Sequence, residues 1–415
     1  MYPEHMDMLY GRILDSWQTD DATSIELAVG DTRRQLCLAT GVATPAARGD
    51  IVKAKLGPDG AVTALERLSG PSPGTWDATG DALRWRRLGS MPSRMALLQR
   101  RDLIVRALRA YLHEEGFWEI QAPLLVRGTC PEPHIHSFGV DDHYLSTSTE
   151  YQLKRLLVGG FEKIFSLTQN FRHGDSGLIH NPEFTMLEWT RAFGSIDAIE
   201  RDAEELVRRA VDAIFPGADT LRFGKHVVRV AGVPWQRLSV RDALREHLHI
   251  DVAPDFSLES LQAECLRTNQ LVPAEFLSDP HTLVSILVDK VSPLLGTSVP
   301  VFLRGWPAFM TSSAGGAQQG EIAERSELFI AGVEVSDGFP ALTDPIAQRA
   351  SFATTLAQRR QDGLPVVDVD ERYVAALEQG MPPAAGMALG VDRLVMVVLG
   401  ESQIQRVVPF AWDEL

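Results

Sequence analysis

Cysteine is scarce in this chain. Cys37, Cys130 and Cys265 stand far apart and without metal-ligand spacing, which excludes a disulfide framework or thiolate metal site and makes a reducing cytoplasm the expected setting. No apolar run approaches the roughly 20 residues that a bilayer crossing needs. The opening MYPEHMDMLYGRILDSW lacks the basic-then-apolar order of a secretory signal, so no membrane role is expected and the terminal WDEL is not read as a retention tag. Surplus positive charge is missing too. A net charge of −15 argues against broad affinity for nucleic acid. Repeats and low-complexity tracts are absent. What remains is a 415-residue chain, 45% apolar and 23% charged, which is globular and long enough for two domains.

Residues 9–69 hold five short strand-like runs: LYGRILDSW, TSIELAV, RQLCLAT, GDIVKAKLG and AVTALERLS. Turn signals separate them, which predicts a small OB-like β-barrel in residues 1–70. The Gly/Pro/Ser-rich GPSPGTWDATGD predicts a linker over 71–91. From residue 92 the pattern changes. SRMALLQRRDLIVRALRAYLHEEGF spaces Leu97, Ile104, Leu108 and Tyr111 along one helical face, with Ser93 as N-cap and Gly116 at the end. WEIQAPLLV reads as a strand interrupted by Pro123, and STSTEYQLKRLL as a helix capped by its Ser and Thr residues. FEKIFSLTQNFR and EFTMLEWTRAF are two strands joined by the polar HGDSGLIHNP, whereas GMALGVDRLVMVVLG runs from strand through glycine into apolar helix. A helical insertion is expected at about 196–300. The sum is an α+β fold, an antiparallel sheet flanked by helices over 92–415 behind the small barrel.

GDSG at 174–177 matches the tetrapeptide around the nucleophile of secreted serine proteases. That chemistry needs a base and an orienting carboxylate, and here Leu178 and Ile179 stand where that signature continues with Gly and Pro. Ser176 is therefore read as a loop residue. His134 and His136 lack a third metal ligand at known spacing and read as loop residues lining a cleft. A more coherent set surrounds them. Arg172 ends one strand, Arg393 heads a helix, and with His180 they would converge on a polyanion. Glu327 and Glu334 lie seven apart in ERSELFIAGVEVSDGF. That odd spacing demands a bulge if both carboxylates of an extended segment are to meet one Mg²⁺.

FR followed by HNPEFTMLEW, then GMALGVDRLVM, with GFWEIQAPLL upstream, resembles the three motifs of class II aminoacyl-tRNA synthetases. TSTEYQLKRLLVGGFEKIF and GVEVSDGFPALTD extend the likeness toward the lysyl-tRNA synthetase subgroup and its truncated paralogue, the elongation factor P lysyltransferase. The resemblance implies a homodimer, with Pro123 and the preceding helix at its interface, that uses ATP and Mg²⁺ to make an aminoacyl-adenylate. It implies Arg172 on the α-phosphate and Phe184 with Arg393 around adenine. It also implies His180 near the outer phosphates, Glu327 and Glu334 on Mg²⁺, and Glu150 and Glu188 facing the amino acid.

Departures from that pattern bear on the substrate. Ala341 replaces a Glu and Thr190 a Tyr that receive a lysine ε-ammonium in relatives; Asp337 replaces an Asn, and Ala388 a Gly of the tRNA-charging enzymes. Gly386 and Ala388 complete the expected substrate pocket. An unpaired buried ammonium costs roughly 3–5 kcal/mol, so a specificity moved away from lysine is expected unless Asp337 supplies the missing charge. Gly174 stands where relatives keep an ATP-reading Glu, with Asp175 the nearest substitute, and Leu178 and Ile179 where an arginine meets the γ-phosphate. Residues 1–70 hold seven Lys/Arg against ten Asp/Glu, with Tyr2, Tyr10 and Trp17 their only aromatics, a poor supply for gripping single strands. A protein or small-molecule acceptor is therefore expected in preference to tRNA.

Overall fold

A computed structural model describes residues 7–18, 22–30, 32–43, 46–72, 74–76, 94–129, 131–132, 135–273, 276–311 and 322–415. Two compact units divide the chain, Met1–Gln99 and Arg100–Leu415. Most of the expected linker, and with it Ser93, Cys130 and His134, lies outside the described residues.

The first unit contains all five expected strands: β1 (Met8–Gln18), β2 (Thr23–Val29), β3 (Thr32–Cys37), β4 (Ile51–Leu56) and β5 (Val62–Ser69). They pair antiparallel in the order β3-β2-β1-β4-β5. Strand β1 is long enough to serve two partners, and a register shift between Ile13 and Asp15 bends it from β4 toward β2. Just past β3, Leu38 bridges Val62 in parallel and Ala39 donates to the Val62 carbonyl at 2.9 Å, which brings the sheet's two ends together. Alternation sends Ile13, Ile25, Leu27, Val52, Ala54 and Val62 into one interior cluster. The result is an OB-like barrel.

An eight-stranded sheet forms the second unit, in the order Gln236–Ser239, Val301–Arg304, Ser326–Ile330, Val333–Pro340, Ala384–Gly390, Glu183–Ala192, Lys163–Phe171, Trp118–Glu119. Its centre is the expected antiparallel sheet, and the short strand at each edge joins its neighbour in parallel. Both edge strands reach their partners by helical crossovers rather than hairpins, and crossovers are what parallel pairing requires. Helix Arg94–Glu114 buries Ile104, Leu108 and Tyr111 in the main core, and Gly116 ends it at φ 81°.

The stretch 196–300 is not helical throughout. Helix Ile196–Ile214 belongs to the main core through Ile199, Ala203, Leu206 and Val207. A hairpin (Thr220–Phe223, His226–Arg229) and the edge strand Gln236–Ser239 follow. Only helices Val240–Leu248, Leu258–Arg267 and Pro280–Val291 form a separate helical cluster, around Leu244, Phe256, Leu261 and Leu287. Strands of four residues carry too little periodicity to separate from helix in the sequence.

Buried carboxylates on helix Ile196–Ile214 fasten it to the sheet. Glu200 accepts from Arg304 Nε (2.5 Å) and Ser326 Oγ (2.6 Å) and pairs with Arg237 Nε at 2.8 Å. Asp202, two per cent exposed, accepts from Tyr111 Oη (2.9 Å), Trp189 Nε1 (3.1 Å) and Arg191 Nε and Nη2 (2.7 and 2.6 Å). Removing this carboxylate takes the acceptor from four donor atoms on three side chains, one of them charged. Asp202→Ala should therefore lose about 3–5 kcal/mol in urea denaturation, and a loss below about 1 kcal/mol would remove the cluster's structural importance.

Candidate functional site

Register decides which side chains share the open face of the sheet. On Glu183–Ala192, alternation brings Phe184, Met186, Glu188 and Thr190 to one side. Facing them across the ladder are Gly390, Ala388 and Gly386, and beyond lie Asp337 opposite Ala388 and Phe339 opposite Gly386. Small residues on the middle strand leave a trough, and a cavity of about 330 Å³ occupies it. Every residue expected at the site lines this cavity except Glu327 and Ala341. Ala341 is buried in a cluster with Tyr151, Phe352 and Tyr373.

Cations gather at one end. Arg393, in the first turn of helix Val391–Leu399, donates from Nη1 to the Glu334 carbonyl (3.0 Å) and carboxylate (3.3 Å), and from Nη2 to His180 Nε2 at 2.5 Å. Arg172 follows strand Lys163–Phe171 directly; its guanidinium carbon lies 5.1 Å from the Phe184 ring centroid, and its buried Nε has no hydrogen-bond partner. The His180 pKa lies below its ordinary 6.5 because partial burial and the neighbouring Arg393 disfavour the imidazolium. A neutral ring with a free lone pair is what Arg393 needs as acceptor. Just behind, the Asp392 carboxylate accepts from the Thr185 amide (2.8 Å) and pairs with Arg101 at 2.5 Å, while Arg101 also donates to Thr185 Oγ1 (2.8 Å).

The loop carrying GDSG is fastened rather than loose. Leu178 O accepts from the Ile404 amide (2.8 Å), Gly177 O from Gln405 Nε2 (3.1 Å), and Asn181 Oδ1 from the Trp412 amide (3.0 Å). Asp175 lines the cavity, whereas Ser176 is exposed and does not. His136 does not line it either; its Nδ1 faces Arg359 Nη2 at 3.3 Å.

Carboxylates gather at the other end. Glu188, five per cent exposed, accepts from Ser148 Oγ (2.7 Å), the Thr149 amide (2.9 Å) and Thr149 Oγ1. Thr149 is the N-cap of helix Glu150–Val158, yet it makes no side-chain capping bond, because its hydroxyl is given to Glu188. Ser148 Oγ takes the Glu150 amide instead, at 3.1 Å. Glu150 pairs with Lys154 one turn on, and the ammonium lies 5.5 Å from the Phe339 ring centroid. Burial raises the pKa of both Glu150 and Glu188.

Glu327 and Glu334 do not lie on one extended run: they stand on strands Ser326–Ile330 and Val333–Pro340, which turn at Ala331–Gly332 into an antiparallel hairpin that carries a bulge. Register shifts between Leu328 and Phe329, so Glu327 pairs with Asp337 while Phe329 pairs with Glu334. Only Glu334 reaches the cavity. Glu327 is buried behind it against Arg325 Nη2 (2.6 Å), and burial pushes its pKa well above the carboxylate range. Arg325 also donates to Asp337 Oδ1 (3.0 Å) and the Met310 carbonyl (3.1 Å), with its guanidinium 4.6 Å from the Trp306 ring centroid. Among the described residues no group of three or more His, Cys, Asp or Glu forms a ready metal cage. Glu334 nonetheless suits Mg²⁺, which binds through one or two carboxylates plus phosphate oxygens. Lys154, Arg325 and Ser148 are the functional neighbours that sequence reasoning missed. The four-residue step from Glu150 to Lys154, and the position of Arg325 two residues before Glu327, are the signals that could have found the two cations.

One sheet face thus carries a polycationic end and an acid-lined end within a single cavity, the layout for joining a polyphosphate to a zwitterion. The chain matches the family model described as tRNA synthetases class II (D, K and N) over residues 81–414, and it belongs to that family. It is 34% identical over 385 residues to a lysine–tRNA ligase of Dehalococcoides mccartyi, covering 88% of this chain and 75% of that protein. It is 32% identical over 332 residues to an elongation factor P–(R)-β-lysine ligase of Edwardsiella ictaluri, covering 77% of this chain and 96% of that one. Similarity to the corresponding ligase of Salmonella arizonae is 31% over 343 residues, covering 79% and 98%. Among the described residues no helix is long and apolar enough to cross a membrane.

The unfolded chain holds His180 at its ordinary pKa of 6.5 and the folded protein holds it lower, so below that pH the unfolded state binds more protons. The stability His180 contributes is present above pH 6.5 and is lost as pH falls through the folded value. His180→Gln keeps an acceptor for Arg393 but cannot titrate. Its melting temperature should fall less between about pH 7 and 5 than that of the unsubstituted protein; parallel curves would show that His180 carries no such linkage.

Proposed function

We propose that this ligase uses ATP and Mg²⁺ to convert an amino acid, other than lysine by preference, into an aminoacyl-adenylate, and that it passes the acyl group to a protein or small-molecule acceptor. The observation that carries this reading is the convergence of Arg172, Arg393, His180 and Glu334 with Glu150, Glu188 and Asp337 on one cavity.

The roles follow from charge and position. Arg172, whose Nε is buried and unpartnered, is placed to meet the α-phosphate and to stabilise charge as the amino-acid carboxylate attacks phosphorus and pyrophosphate departs. Phe184 and Arg393 offer one aromatic and one planar cationic face for adenine. His180, neutral and bonded to Arg393, orients that guanidinium and lies on the side where the outer phosphates belong. Glu334 is the proposed Mg²⁺ ligand, with Glu327 buried behind it; the ion would neutralise phosphate charge. Glu150 suits the substrate's α-ammonium. The chemistry is positioning and electrostatics, with no covalent enzyme intermediate.

A second copy of the chain is the proposed partner in a homodimer. Leu103 (47% exposed) on helix Arg94–Glu114, and Trp118 (66%) and Leu125 (46%) on either side of Pro123 in sequence, support it as large apolar side chains left in solvent. Sedimentation velocity should report a dimer. ATP–pyrophosphate exchange across a panel of amino acids tests the activity itself. Arg172→Ala should lower exchange by at least about 100-fold without shifting the melting temperature. Exchange that survives this substitution would remove Arg172 from the reaction.

A further inference from the structure

The acid-lined end of the cavity already carries its own cations. Lys154 closes on Glu150, and Arg325 closes on Asp337 while also holding Glu327 and the Met310 carbonyl. Each nitrogen of that guanidinium is thereby committed. Glu188 has its donors from Ser148 and Thr149. At Glu150 and Asp337 an incoming side-chain ammonium would have to displace an internal cation to find a full counter-charge. Glu132 also lines the cavity, and its charge reaches both Glu150 and Asp337, adding to the negative field that Glu150 presents to the α-ammonium every amino acid brings.

Further along the trough the chemistry turns neutral. Thr190 stands opposite Gly386, and Phe339 stands on the other side of that glycine. Thr190 is seven per cent exposed, lines the cavity, and its hydroxyl has no hydrogen-bond partner among the described residues. A Cβ at Gly386 would approach Thr190 Oγ1 to 2.9 Å and the Trp189 carbonyl to 3.1 Å. The bare glycine is therefore what keeps the hydroxyl uncovered. A nearly buried hydroxyl without a partner has hydrogen-bonding capacity for a ligand to use.

Resting on the amino-acid-activating reading above, we propose that this end selects an uncharged side chain bearing a hydroxyl or amide. That side chain would seat on Gly386 and Ala388 against Phe339 and bond to the Thr190 hydroxyl. Arg325 is the positioning residue that enforces the choice, because it holds the Asp337 carboxylate away from service as an ammonium acceptor.

The test is ATP–pyrophosphate exchange by the full chain with the protein amino acids, ornithine and β-lysine. A hydroxyl or amide amino acid should give the highest kcat/KM, at least about tenfold above any basic one. Thr190→Val should lower kcat/KM for that substrate about tenfold or more while leaving the KM for ATP unchanged. Arg325→Met, which releases Asp337, should raise the lysine-to-neutral ratio of kcat/KM about tenfold, a ratio that mere structural damage would not move. If Arg325→Met does not fold, Thr190→Val decides alone. A basic amino acid as best substrate, an unchanged ratio in folded Arg325→Met, or a silent Thr190→Val would each overturn the pocket assignment and leave adenylate formation standing. No exchange with any amino acid would overturn the activation reading itself, and this proposal with it.

Discussion

The site depends on one buried carboxylate that takes no part in the chemistry. Asp392 accepts the Thr185 amide and pairs with Arg101, and Arg101 returns to Thr185 through its second arm. Three elements are locked by this arrangement: the long helix, the second hairpin strand and the C-terminal helix. Its neighbours in sequence are Phe184 beside Thr185 and Arg393 beside Asp392. Fixing the backbone at 185 and 392 therefore fixes the aromatic and the guanidinium on the cavity side of the same two elements. A site assembled from elements that come together only in the fold needs such a clamp, since an error of an ångström in either partner degrades an oriented reaction.

Charge is distributed unevenly along the cavity. The carboxylates Glu150, Glu188 and Asp337 each have a partner inside the protein, whereas Arg172 retains a buried nitrogen with none. An unsatisfied buried cationic donor is costly, and the cost is recovered only when an anion arrives. The fold thus leaves an unmet cationic donor at one end and gives these carboxylates at the other end internal partners.

Much of this was legible in the sequence because the signals were local. The five barrel runs, the hairpin on either side of HGDSGLIHNP and the strand-to-helix passage GMALGVDRLVM each carry their period within a dozen residues. The spacing of Glu327 and Glu334 misleads: seven residues that read as one extended run contain a turn at Ala331–Gly332, which sets the two carboxylates on neighbouring strands. What escaped was non-local. The parallel edges depend on crossovers, and the strands inside 196–300 are too short to announce themselves. Thr149 looked like a cap because propensity knows nothing of Glu188, almost forty residues away, which claims its hydroxyl. That Arg325 closes on Glu327, and so stands between it and the cavity's other charges, is likewise invisible in the sequence.

Arg325 also bears on how specificity changes. Placing an acidic residue at 337 would be the direct way to attract a basic substrate, and composition alone would have suggested it. The outcome depends on where that charge is spent. With Arg325 bonded to Asp337 at 3.0 Å and to Glu327 at 2.6 Å, the added negative charge consolidates a buried network and does little to recruit a ligand. Taking a counter-ion from such a network costs more than its Coulombic attraction suggests, because the partner left behind is stranded in low dielectric. A pocket can therefore gain a carboxylate and still lose its preference for ammonium. Small residues matter here as much as charged ones. Gly386 and Ala388 carry no charge, yet they decide whether a ligand can come near enough to Thr190 and Asp337 to feel either.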